Sequence, residues 1–274
     1  MERDFRQGYL EIDFAVEPFE SAWRLLLRSG AIFFSNFGFL AALTLLVFVP
    51  VKLALQFVAY LLAIPKGGLT AYLMMDLSDL VLSALAVPAA IYGLIHKLRT
   101  GKTAPLDRSL RWGWRQWGKT LWNKFKVEVT ITLWGALLIV PGVVAMVRLS
   151  LTDAIVAIEA DRESEVLERS RELTKGRRWR IFWVLLPVMV VELAGTFMVL
   201  DAFGVTTSSR PLLALVDSVL SVGGQWSTVV FLLLYMGIVP AEKPLPAKRK
   251  AVRPGAGATG PAERASIPPW VSGN

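Results

Sequence analysis

Four ionisable residues stand where chemistry inside an apolar environment would need them: Arg148, Asp153, Glu159 and Glu192. Charged groups in the hydrocarbon of a membrane are costly, and they mark proton paths, substrate sites or structural ion pairs. Arg148 and Asp153 are five residues apart on one expected helix and share a face poorly, so Glu192 is the alternative partner for Arg148. The functional reading is a proton- or substrate-handling site in a transporter, and the structural reading is an ion pair that fixes helix packing.

Little else in the chain offers catalysis. It has 274 residues with no cysteine and one histidine, so thiol chemistry, disulfides and thiolate metal sites are excluded. The lone His96 borders Lys97, with nothing nearby in sequence to tune it as a titrating switch. There is no Ser-centred elbow, His-Glu-x-x-His helix, P-loop or dinucleotide fingerprint. The chain reads as a non-enzyme without a cofactor, metal included; a lipid-handling enzyme or subunit is the catalytic alternative.

The elements that would position these residues are membrane helices. Hydrophobic residues make up 54% of the chain, and mean hydropathy is +0.50. The apolar residues fall in blocks near 31–64, 69–95, 127–158, 181–200 and 211–240, and about 20 apolar residues suffice to cross a bilayer core. The expected fold class is an all-α, polytopic transmembrane bundle of about six segments. A segment at 1–30 lies at the interface, either as a surface helix or as the end of the first span, and shows no cleavable signal pattern. The transmembrane domain is 31–239, and the Pro-, Gly- and Lys-rich tail 240–274 lacks the apolar content to fold.

Charge placement orients the bundle. Of 30 Lys and Arg, four precede residue 31, nine lie in 97–126, seven in 162–180 and six after 239. This positive-inside pattern puts both termini and those loops in the cytoplasm, against anionic inner-leaflet lipid. Within 100–126, Leu106, Leu110, Trp114, Trp117, Leu121 and Phe125 recur at helical steps. Trp112, Trp114, Trp117 and Trp122 suit the headgroup level. The expectation is an interfacial basic helix there, and a second across 160–180. Basic-aromatic interleaving also occurs in single-strand binders, but in this setting it speaks for lipid and not nucleic acid.

The seven basic residues of 162–180 return to the cytoplasm only if 121–158 turns back. Pro141-Gly142 divides that region, and such a pair disfavours a continuous helix. The expectation is a bend at Pro141-Gly142 joining two crossings or the two legs of a re-entrant hairpin. A faint repeat accompanies it, with a basic helix preceding a pair of apolar segments near 18–30, 104–120 and 162–178.

The stretch from Ile139 to Trp179 carries Pro141-Gly142, Arg148, Glu159 and then Ser170, Leu173, Gly176 and Trp179 at Ser-x-x-Leu-x-x-Gly-x-x-Trp spacing. In this it resembles the bacterial YciC-like integral membrane proteins and the related membrane domain attached to some glycerophosphoryl diester phosphodiesterases. The resemblance implies a multi-span inner-membrane protein without the catalytic barrel. The expected role is organisation of the envelope or membrane, or partnership with other membrane proteins or a second copy. The alternative is a small-molecule or ion transporter using Arg148, Asp153 and Glu192.

Overall fold

The 25-residue helix Phe37–Leu61 shows how this chain builds: almost every residue is apolar, and it runs straight through Pro50. Proline removes one hydrogen bond and crowds the preceding turn, which kinks a helix that strong packing keeps intact. The helix therefore continues past Pro50 to Leu61.

In this computed structural model, residues 21–65, 68–159, 165–203 and 210–239 are described, and among them every regular element is helical. The order is α1 (Ala22–Ser35), α2 (Phe37–Leu61), α3 (Leu69–Thr100), α4 (Leu106–Leu137), α5 (Ile139–Leu149), α6 (Thr152–Ile158), α7 (Val166–Thr174), α8 (Arg178–Phe203) and α9 (Arg210–Ile238). The expected segments before residue 21, the tail 240–274, and residues 66–67, 160–164 and 204–209 lie outside the described residues.

Four stretches are long and apolar enough to cross a membrane: α2, α3, Ile139–Ile158 spanning α5 and α6, and Pro211–Ile238 within α9. The all-α membrane class follows from them. Leu46, Val51, Phe57 and Leu61 of α2, and Trp183, Val190, Leu193 and Phe197 of the 26-residue α8, turn large apolar side chains outward. Water would oppose such surfaces, whereas lipid tails accept them.

Segment 21–61 is two helices joined at Asn36. The Asn36 amide donates to the Ile32 carbonyl at 2.7 Å, and the Lys97 ammonium donates to the Ser35 carbonyl at 2.9 Å. Between them they satisfy carbonyls that a helix end leaves free. α1 buries Leu25, Leu26 and Phe33, and its Ser29 hydroxyl accepts from the Trp226 indole of α9 at 3.0 Å.

The closest packing joins α3 and α4. α3 offers Ala86, Ala89 and Ala90, all fully buried, and α4 offers Ser109, Gly113, Gln116, Thr120 and Asn123. A β-carbon on Gly113 would sit 2.5 Å from the Leu85 carbonyl oxygen and 3.0 Å from the Ala89 methyl. Small residues let helices approach this closely where no water drives them together. The Trp117 indole donates to the Val81 carbonyl at 3.1 Å, and Trp112 stacks on Tyr92 with centroids 5.6 Å apart.

Residues 106–137 form one helix; apart from Trp112 its buried face is small or polar, while Trp114, Trp122 and Phe125 face outward. Trp112 is fully buried, and Trp117 is half-buried, so of the four expected anchors only Trp114 and Trp122 are exposed. Apolar periodicity reports burial only where the other side is water; beside lipid, shape decides which face packs.

The turn-back is real but is displaced from the expected residues. α4 ends at Leu137, Leu138 is extended at φ −158° and ψ 139°, and α5 starts at Ile139. Pro141 thus occupies the first turn of α5, where a missing N–H leaves no hydrogen bond unmade. Gly142 lets the legs touch, since a β-carbon there would lie 2.7 Å from the Gly135 α-carbon. Replacing Gly113 with Leu should lower stability by about 3 kcal/mol, the upper end for overpacking, because a backbone oxygen blocks the side chain. Thermal unfolding in detergent checks this, with Gly118→Ala, which meets open space inside the helix, expected to be neutral to slightly stabilising.

Candidate functional site

Lys52 sits two residues after Pro50 on α2, among apolar neighbours, and its side chain is wholly enclosed, with 0% exposed. A lysine with no water around it requires anionic partners, and two other helices supply them. Asp79 of α3 lies 2.6 Å from its Nζ, and Asp217 of α9 also pairs with it. The Ser221 hydroxyl, one turn beyond Asp217, is 3.5 Å away. The Phe48 ring, one turn before, presents its face at 5.2 Å from Nζ to centroid, a favourable placement for a cation.

Three helices thus meet on one ammonium. The site holds one positive and two negative charges, and the carboxylates share the burial unequally with the lysine. Asp79 and Asp217 keep 42% and 34% of their side-chain surfaces exposed, so one side of the cluster is open. One turn further along the same seam, the Gln56 amide approaches the Met75 sulfur at 3.9 Å.

The residues singled out from sequence are dispersed over other contacts. Asp153 pairs with Lys124 of α4 at 2.9 Å. Glu159 accepts from the Tyr235 hydroxyl of α9 at 2.6 Å and lies 3.9 Å from Arg169 of α7. Glu192 of α8 lies against Ser227 of α9. Among the described residues no ion pair joins Arg148 to Asp153 or to Glu192. What Arg148 contributes is its backbone: its carbonyl, at the break between α5 and α6, accepts from Ser170 at 2.9 Å and from Thr174 at 3.5 Å.

That contact gives the spaced residues after Pro141-Gly142 a physical sense. Ser170 and Leu173 are buried on α7, Gly176 has φ +78° in the turn to α8, and Trp179 is exposed and stacked on Phe182 at 5.3 Å. Only glycine adopts that φ without strain. His96 stacks on Tyr92 with centroids 6.3 Å apart.

Sequence reasoning passed over Lys52, Asp79 and Asp217. The signal was present: one lysine inside the first apolar block, two aspartates, Asp76 and Asp79, in the second, and one aspartate in the last. Among the described residues no group of three His, Cys, Asp or Glu side chains is placed to hold a metal ion. No family model, curated protein or solved structure matches the chain.

Lys52→Met leaves two carboxylates unpaired. Breaking a buried pair costs about 3–5 kcal/mol; with both acids partly hydrated, we expect about 2 kcal/mol. The triple replacement Lys52→Met, Asp79→Asn, Asp217→Asn should recover most of it, as read by thermal unfolding in detergent. A triple variant as unstable as the single one would show that the cluster does not act mainly through its charge balance.

Proposed function

We propose that this is a non-catalytic protein of the bacterial inner membrane that organises the surrounding bilayer or holds partner proteins there. In this reading both termini are cytoplasmic. The membrane segments are α2, α3, the two legs α4–α5, α8 and α9, a count of about six. The YciC-like resemblance points to a protein of the same kind.

The observation that carries the reading is the Lys52 junction. A wholly enclosed lysine that ties three helices by its charge does the work of a clamp, closing the space between them. The other internal charges are used in the same way: Lys124 with Asp153 ties α4 to α6, and Glu159 with Tyr235 ties α6 to α9. On the outside, Arg108, Arg111 and Arg115 of α4 are exposed beside Trp114, a composition that suits anionic headgroups.

One observation favours transport as a second reading: the open side of Asp79 and Asp217 gives the junction access to its surroundings. Reconstitution separates the two. In liposomes of mixed anionic and zwitterionic lipid, the protein should change vesicle diameter while proton, sodium and potassium leak stay at the protein-free level. A leak that Asp217→Asn abolishes, with folding intact, would replace the organising reading with the transport one.

A further inference from the structure

The hairpin of α4 and α5 leaves the packed body of the protein. Asn123 is the last buried residue of α4, and from Lys124 to Val140 every residue is half-buried or exposed. At the tip, Leu137, Leu138, Ile139 and Val140 are 64–81% exposed. Four consecutive large apolar residues at a turn are the reverse of a water-facing loop, which is polar.

The apolar reach of this projection is short. On the α4 leg the last charged residue before the tip is Glu128, nine residues from Leu137; on the α5 leg the first is Arg148, nine residues from Ile139. At 1.5 Å per residue each leg extends about 14 Å beyond its charge. The hydrocarbon core is about 30 Å thick. Ile139–Ile158 alone has the length to cross, but the legs meet at Gly135 and Gly142, so one crosses only if both do. A crossing would draw Glu128, Lys126 and Arg148 into the core.

The turn itself tolerates lipid. The Leu138 N–H donates to the Trp134 carbonyl at 3.0 Å and the Gly142 N–H to the Leu138 carbonyl at 3.3 Å. Pro141 has no N–H to satisfy. These bonds and the proline reduce the polar backbone that the turn presents to hydrocarbon.

We propose that the α4–α5 hairpin is a wedge seated in a single leaflet, its tip among the acyl chains and its charged root at the headgroups. Its partner is the lipid of that leaflet. Large apolar side chains of α2 and α8 are likewise exposed, and Lys126 and Arg148 at the root match anionic phosphate. This rests on the membrane-organising reading and names the part that acts on the bilayer.

The chain's lack of cysteine makes the test direct. Leu138→Cys in the full chain, reconstituted in liposomes, is offered a membrane-impermeant maleimide from each side. A bimane on the same residue is then exposed to lipids spin-labelled at different acyl depths. The hydrocarbon excludes water and charge, so labelling should be about ten-fold slower than at Lys102→Cys, with quenching strongest from mid-leaflet labels. Rapid labelling from either side would overturn the wedge by showing a tip in water. Residue-138 cross-links between copies, with no quenching by lipid, would overturn it in favour of a second chain as the cover. Val140→Cys serves if Leu138→Cys does not fold. Loss of the wedge with the change in vesicle diameter retained would leave the organising reading standing.

Discussion

An ammonium ion without water must be surrounded by something anionic, and that constraint governs the arrangement of α2, α3 and α9. Lys52 is buried and cannot leave, so Asp79 and Asp217 have to arrive from helices far apart in sequence. Their meeting sets which turns of the three helices lie at the same level. The alanines of α3 and the small residues of α4 then define how closely the next helix approaches, and α1, α6 and α9 complete the core beside Tyr92 and Trp112. Apolar surface alone would permit many sliding registers between such helices; a charge with two partners permits few.

Two kinds of packing coexist. Where α3 and α4 meet, backbones come close because side chains are small. Where α6 and α7 meet the root of the hairpin, polar groups are matched one by one, with Ser170 and Thr174 on the Arg148 carbonyl and Tyr235 on Glu159. The first kind tolerates variation in composition as long as volume stays small. The second depends on individual hydroxyls and carboxylates.

Much of the architecture was legible in the chain. The hydrophobic blocks give α2, α3, α8 and α9, and Gly176 at a helix end gives a left-handed turn. The turn-back near Pro141-Gly142 was legible as topology but misplaced as geometry, since proline at a helix start and proline at a bend read alike. The seam of α4 was illegible for a different reason. The spacing of Trp114 and Phe125 marks a face turned to lipid, and it says nothing of the small residues that pack against α3. Lys52 with its aspartates was hidden because the pairing spans 165 residues from Lys52 to Asp217, and no local pattern encodes such a distance.

The contact between Gly135 and Gly142 bears on the shape of the hairpin as well as on its closure. The legs touch backbone to backbone near the tip, whereas at the root the lysine and aspartate side chains of Lys124 and Asp153 stand between them. The body therefore tapers toward its tip. Set in one leaflet, a tapered inclusion displaces more area among headgroups than among tails, and the surrounding monolayer relaxes by bowing outward on that side. The missing side chain of Gly142 alone would in this way give the protein a preferred membrane curvature.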